Sequence, residues 1–102
     1  MKLATLEPRA HLFVCVNRRA PGDPLGGGCA ERGEAVFASL KREVAARGLV
    51  RSAWVARTQC LGLCPQRGCA VAVSPAGRYV VEVEPGDAGA LLDALGPASA
   101  AR

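Results

Sequence analysis

The sequence predicts an α/β domain with elements in the order β-α-β and then β-β-α, around a central four-stranded mixed sheet. Short runs rich in β-branched residues alternate with one long amphipathic stretch, and Gly- and Pro-rich segments separate them. A strand, a helix and a second strand in succession indicate parallel strands joined by a right-handed crossover. We expect all 102 residues to form a single domain, with loose ends at 1–10 and 96–102.

The first half of the chain supplies the β-α-β unit. The apolar run 11–16 predicts a strand buried on both faces, and a Gly- and Pro-rich loop then leads to Cys29. The segment 30–47 predicts a helix, which Gly48 ends, and 51–57 predicts the second strand. The helix is expected to bury one apolar face, formed by Val36, Phe37, Leu40 and Val44.

The second half supplies a hairpin and a last helix. The runs 70–73 and 78–83 read as two strands around a turn that contains Pro75 and Gly77, which predicts a β-hairpin. A last helix is predicted from Pro85 to about residue 95, since proline is accepted in a first helical turn. The complete order of elements is that of a thioredoxin-like fold.

Composition and charge exclude several classes of protein. Half of the residues are apolar but only 4% are aromatic, so Val, Leu and Ala must fill the core. No apolar run is long enough for a membrane span, and Glu7 and Pro8 interrupt the start before a signal-peptide core. We therefore expect a cytoplasmic protein. The net charge of +4 is spread without a basic run or interleaved aromatic residues, so no nucleic-acid partner is expected.

The cysteines carry the strongest functional signal. There are five, an odd number, and persistent disulfides are rare in the cytoplasm, so a cluster of thiols indicates metal binding or redox chemistry. Three of the five lie in the loop 59–69, where Leu61, Gly62 and Leu63 separate two of them. Gly62 has no Cβ, which would let its backbone approach a bound group closely. The loop thus suits a metal or sulfur cofactor better than it suits packing.

A specific resemblance joins these features. Cys15 ends the first strand, a glycine-rich loop reaches Cys29, and Cys60-Leu-Gly-Leu-Cys64 precedes the hairpin. From about residue 12 to residue 95 this arrangement resembles the thioredoxin-like [2Fe–2S] ferredoxins, relatives of the small iron–sulfur subunit of respiratory NADH dehydrogenase. The resemblance implies a [2Fe–2S] cluster held by Cys15, Cys29, Cys60 and Cys64, often in a homodimer. It also implies one-electron transfer from a reductase to an acceptor oxidoreductase, without catalysis by the chain itself.

The sequence departs from that family at Cys69, where those ferredoxins usually carry a proline. Cys69 is thus either a bystander or an alternative ligand. Because it precedes an apolar strand, we expect it to be a packing residue or a spare thiol.

A cluster with four thiolates would carry a formal charge of about −2, which must be offset by N–H donors and cations. The glycines at 26–28 and 62 let N–H groups come close, and the helix that starts near Cys29 offers further donors. Candidate cations beside the cysteines are Arg18, Arg19 and Arg67.

Other functions on the same fold remain open at this stage. A thiol–disulfide oxidoreductase normally needs Cys-x-x-Cys between the first strand and the helix, whereas Cys15 and Cys29 are far more widely spaced. A structural zinc module with four cysteine ligands usually uses two close cysteine pairs, of which only one is present here. A cluster-bearing sensor or chaperone accessory is a third alternative.

Overall fold

The computed structural model describes residues 1–4, 8–63 and 65–97. The predicted order of elements is confirmed, and the bounds agree to within two residues. A 3-10 turn at Pro85–Asp87 opens the last helix, where the sequence places the first helical turn. The elements are β1 (Ala10–Cys15), α1 (Ala30–Ala46), β2 (Ala53–Thr58), β3 (Cys69–Ser74), β4 (Arg78–Val83) and α2 (Ala88–Leu95).

The expected loose ends fall partly on residues 5–7 and 98–102, which lie outside the described residues. At the amino-terminal side the regular structure begins at Ala10, at the edge of the segment expected to be loose. At the other side α2 ends at Leu95, and the N–H of Gly96 donates to the carbonyl oxygen of Leu92 at 2.9 Å. The ordered elements therefore span nearly the range that the pattern predicts.

The four strands form one mixed sheet in the order β2-β1-β3-β4. Strands β1 and β2 are parallel, from the pair Ala10 and Ala53 to the pair Cys15 and Thr58. Strand β3 is antiparallel to β1, and β3 and β4 form the predicted hairpin. The crossover through α1 therefore returns the chain to the end of the sheet at which β1 begins, so that β1 and β2 finish at the same end.

The core lies on one face of the sheet. Leu12 and Val14 of β1 are fully buried against α1, which contributes Val36, Leu40 and Val44 to the same cluster, and Leu91 and Leu92 of α2 complete it. The expectation that β1 is buried on both faces is wrong. His11 and Phe13 are only partly buried, because both described helices pack on the opposite face.

Arg47 joins the two helices beyond this apolar core. Its guanidinium donates to Glu43 in α1 at 2.9 Å, to Asp93 in α2 at 2.7 Å and to the carbonyl oxygen of Gly89 at 3.1 Å. These contacts fix α2 against the last turn of α1. Among the described residues, no helix has the length and apolar character needed to cross a membrane.

Truncation of a central side chain tests this core. We expect Leu40→Ala to lower the free energy of unfolding by about 2–5 kcal/mol, because Leu40 is 0% exposed and its loss leaves a cavity. Val50→Ala is the control, since Val50 is 62% exposed and should change stability by less than about 0.5 kcal/mol. Urea unfolding followed by circular dichroism measures both, and equal effects would contradict the assigned core.

Candidate metal centre

The topology brings the cysteine-bearing segments to one end of the sheet. Cys15 is the last residue of β1, and its partner in the parallel strand is Thr58, two residues before Cys60. Strand β3 runs the opposite way and begins at this end with Cys69. Cys29 precedes the first residue of α1 and lies at the same end. Parallel pairing of β1 with β2 is therefore what gathers these segments.

Close backbone contact seats the start of α1 on the segment that follows β1. A Cβ added to Gly33 would lie 1.9 Å from the carbonyl oxygen of Cys15, so only glycine permits this approach. One at Gly28 would lie 2.1 Å from the carbonyl oxygen of Asn17. The N–H of Ala30 donates to that same oxygen at 3.1 Å. The first turn of α1 is thus held directly against the residues that carry and follow Cys15.

This seating brings Cys15 and Cys29 together in the interior. Both side chains are 2% exposed, and their thiols are hydrogen-bonding neighbours. Burial raises the pKa of the Cys29 thiol, and the nearby Cys15 thiol raises it further. Two groups oppose the rise, because the backbone N–H of Ala70 donates to the Cys29 sulfur and the guanidinium of Arg32 favours the thiolate. Cys15 and Cys29 are therefore buried neighbours, and their role as ligands stays a prediction.

Cys69 is a third thiol at this place. It is 0% exposed at the start of β3. Burial, together with the neighbouring thiols of Cys29 and Cys15, raises the pKa of Cys69 to about 12. The burial of Cys69 is consistent with packing, but Cys15 and Cys29 are buried in the same cluster, so its role stays a prediction.

The second cysteine segment lies in an exposed loop after β2. Cys60 is exposed, and the N–H of Gly62 donates to its Sγ at 3.3 Å. Gly62 has φ +86°, whereas no described atom lies within 4 Å of the position of an added Cβ. Its left-handed backbone, rather than a close approach, is therefore what favours glycine here. Arg19 also reaches this sulfur, with 3.7 Å from its Nη2 to Sγ of Cys60.

The described structure brings together only part of the predicted ligand set. Cys15 and Cys29 are in contact, and Cys60 leaves the sheet at the same end on a separate loop. Cys64 lies outside the described residues. Within the described ranges, no group of three or more His, Cys, Asp or Glu side chains is arranged to hold a metal ion. The donor chemistry nevertheless fits an iron–sulfur cluster, since the available ligands are thiols with N–H and guanidinium donors beside them.

The arginines predicted to balance charge divide into two groups. Arg18 donates to Glu31 at 2.5 Å on the surface, and this hydrogen bond lowers the pKa of the Glu31 carboxyl. Arg67 donates to Glu82 at 3.2 Å, also on the surface. Of the three, only Arg19 contacts a cysteine sulfur within the described part of the chain.

Arg32 is a residue beside the cysteine-bearing loops that the sequence reasoning missed. Its guanidinium donates to the carbonyl oxygens of Gly28 at 2.8 Å and Gln66 at 2.5 Å, and a longer contact of 3.5 Å reaches that of Pro65. It therefore touches both cysteine-bearing loops. The sequence does contain a signal for this position. Arg32 lies in the first turn of α1, and helical side chains point back toward the amino end of their helix, which here is the side of Cys29.

Comparison with known proteins agrees with this arrangement. No protein-family model matches the chain. A curated protein of Aquifex aeolicus (strain VF5), described as "Ferredoxin, 2Fe-2S", is 33% identical over 85 residues, which are 81% of this chain and 75% of that protein. The chain belongs to the thioredoxin-like [2Fe–2S] ferredoxins.

Solved structures place the whole fold in this family. The wild-type thioredoxin-like [2Fe–2S] ferredoxin from Aquifex aeolicus matches with a TM-score of 0.73 and 30% identity, over 85% of this chain and 84% of that one. A cysteine-to-serine variant of the same ferredoxin matches with a TM-score of 0.72, over 82% and 83% of the two chains. The thioredoxin-like fold and the family resemblance predicted from the sequence are thus confirmed.

A methyl group added at the closest backbone contact tests the packing of α1 against the end of β1. We expect Gly33→Ala to destabilise the protein by about 1–3 kcal/mol, because the added methyl group forces the helix away from the Cys15 carbonyl oxygen. The separation should also speed alkylation of Cys15 and Cys29, as measured by mass spectrometry. Gly27→Ala is the control, since nothing lies within 4 Å of an added Cβ there. Unchanged labelling in Gly33→Ala would contradict the contact.

Proposed function

We propose that this chain is a one-electron carrier that holds a [2Fe–2S] cluster on Cys15, Cys29, Cys60 and Cys64. The observation that carries the proposal is the buried contact of Cys15 with Cys29 at the end of the sheet where the Cys60 loop also begins. Membership of the [2Fe–2S] ferredoxin family supports the same cofactor and the same function. When bound, such a cluster accepts and releases one electron at a time.

The two halves of the ligand set have different tasks in this proposal. Cys15 and Cys29 are fixed by the packed backbone around Gly33, so they provide a rigid and largely dry side. Cys60 and Cys64 would supply the other two ligands from a separate loop. The N–H of Gly62 and the guanidinium of Arg19 already contact the Cys60 sulfur, and such donors favour thiolate charge and tune the potential of a centre.

The exposed loop also indicates where electrons enter and leave. Cys60 and Leu63 face solvent, whereas Cys15 and Cys29 face the core. We propose that a reductase and an acceptor oxidoreductase dock on this loop in turn, through small and transient interfaces. A reducing compartment such as the cytoplasm would keep the ligand thiols available.

The structure weakens the thiol–disulfide alternative. A thiol that attacks a disulfide is partly exposed and has a lowered pKa. Cys29 is buried, and burial raises the pKa of its thiol. Cys15, its neighbour, is equally buried. Neither thiol is therefore exposed to the disulfide of another protein.

Replacement of single cysteines tests the ligand set. We expect Cys15→Ser, Cys29→Ser, Cys60→Ser and Cys64→Ser each to lower the iron and acid-labile sulfide bound per chain, because each removes a thiolate ligand. The measurement is chemical analysis of anaerobically purified protein, together with the electron paramagnetic resonance signal after one-electron reduction.

Cys69→Ala is the matched control for this series. Cys69 is as buried as Cys15, so its replacement also leaves a small cavity, but we expect iron and sulfide to stay at the wild-type level. A colourless Cys69→Ala protein beside an intact Cys60→Ser protein would overturn the assignment. Zinc in place of iron would instead support a structural zinc site.

We also propose that the protein is a homodimer formed through the open face of the sheet. His11 stacks on Phe13 with ring centroids 4.1 Å apart, and Trp54 meets His11 edge-on at 5.8 Å. Tyr79 and Val81 of β4 are 62% and 46% exposed on this face. This face therefore exposes aromatic and apolar side chains, which a second copy of the chain could cover.

A charge placed on this surface tests the dimer. We expect Tyr79→Lys to convert the dimer to a monomer in sedimentation velocity, because a charged ammonium group from each copy would lose its water in the interface. Ala38→Lys is the control, since Ala38 is exposed on α1, on the other side of the sheet. A wild-type monomer, or a Tyr79→Lys dimer, would contradict this interface.

A further inference from the structure

Arg32 occupies an unusual position between the two loops that carry the proposed ligands. It belongs to the first turn of α1, three residues after Cys29, and its side chain is only partly exposed. The guanidinium lies beside Gly28 on one side and beside Pro65 and Gln66 on the other. It therefore contacts the residue before Cys29 and the two residues after Cys64.

All of the partners in these contacts are backbone carbonyl oxygens. The distances are 2.8 Å from Nη2 to the oxygen of Gly28 and 2.5 Å from Nη1 to that of Gln66. Within the described residues this guanidinium forms no ion pair with a carboxylate, so no side chain in that part of the protein neutralises its positive charge. The contact with the carbonyl oxygen of Gly28 places the same cation beside Cys29, the next residue in the chain.

The segment that Arg32 reaches on the far side of Cys64 is irregular. Residues 60–68 contain no helix or strand where they are described. Arg67, in the same loop, turns outward to Glu82 and is 80% exposed. The hydrogen bonds of Arg32 therefore provide a direct connection between the packed start of α1 and the exposed loop.

We propose that Arg32 is a positioning residue that fastens the Cys60–Cys64 loop to the Cys29 side of the centre, while its charge offsets that of the bound cluster. The proposal rests on the function proposed above. Two separable effects follow. The forked geometry of the guanidinium should govern how firmly the loop is held to α1, and its positive charge should govern the reduction potential.

Two substitutions of Arg32 separate these effects. Arg32→Lys keeps the positive charge but loses the forked guanidinium that spans two carbonyl oxygens. We therefore expect the cluster to be released to a chelator about tenfold faster than in the wild type. The reduction potential should change little. Arg32→Gln loses the charge as well, so we expect equally fast release and a more negative potential. Release is followed by the loss of visible absorbance, and the potential by a redox titration.

Arg67→Lys is the matched control, because Arg67 lies in the same loop but pairs with a surface carboxylate. We expect its release rate to stay within about twofold of the wild type, as for an exposed ion pair. If Arg67→Lys and Arg32→Lys speed cluster release to a similar extent, the proposal is overturned, because the effect would then not depend on the contacts of Arg32. A wild-type release rate in Arg32→Lys, or equal potentials in the Lys and Gln variants, would overturn it too.

Hydrogen exchange separates failure of this proposal from failure of the proposed function. In the protein as purified, we expect the amides of residues 61–68 to exchange faster in Arg32→Lys than in Arg67→Lys. If the wild type binds no iron but this difference is present, the loop connection stands and the electron-carrier function fails. If iron is bound but the exchange rates are equal, the carrier function stands and the role of Arg32 fails.

Discussion

The contact between the first turn of α1 and the end of β1 is the constraint on which the site depends. Gly33 lies against the carbonyl oxygen of Cys15, and the N–H of Ala30 donates to that of Asn17. No side chain larger than hydrogen fits at position 33 without moving the helix. Because this contact is between backbones, it fixes Cys29 beside Cys15 more firmly than a contact between flexible side chains would. The parallel pairing of β1 with β2 then brings the second cysteine loop to the same end.

This arrangement places a stiff half of the site beside a more exposed half. The buried thiols of Cys15 and Cys29 lie on the packed backbone, whereas Cys60 lies in a loop that hydrogen bonds shape locally. Such a division suits an electron carrier. A rigid inner side limits reorganisation and water access around a redox centre, while an outer loop gives partner proteins a short approach. Arg32 connects the two halves through backbone carbonyl oxygens.

The sequence predicts the fold almost completely because the signals are local. The helical spacing of Val36, Leu40 and Val44 and the Pro/Gly turn between the last strands each depend on neighbouring residues. Prediction from the sequence fails where the structure depends on packing between residues that are far apart along the chain. Burial of β1 on one face only follows from where α2 and α1 pack, and the contacts of Arg32 follow from a loop more than thirty residues away. The pairing of Cys15 with Cys29 is expected from the family resemblance and is present in the structure, whereas the spacing of these residues alone would not reveal it.

Iron anomalous scattering from a crystal of the anaerobically purified protein tests the central claim most directly. We expect two adjacent iron peaks at the end of the sheet where β1 and β2 finish, within bonding distance of the sulfurs of Cys15, Cys29, Cys60 and Cys64. The Cys69 sulfur should lie outside that distance. Iron bonded to Cys69 in place of one of these four, or a single zinc peak at the same place, would contradict the account.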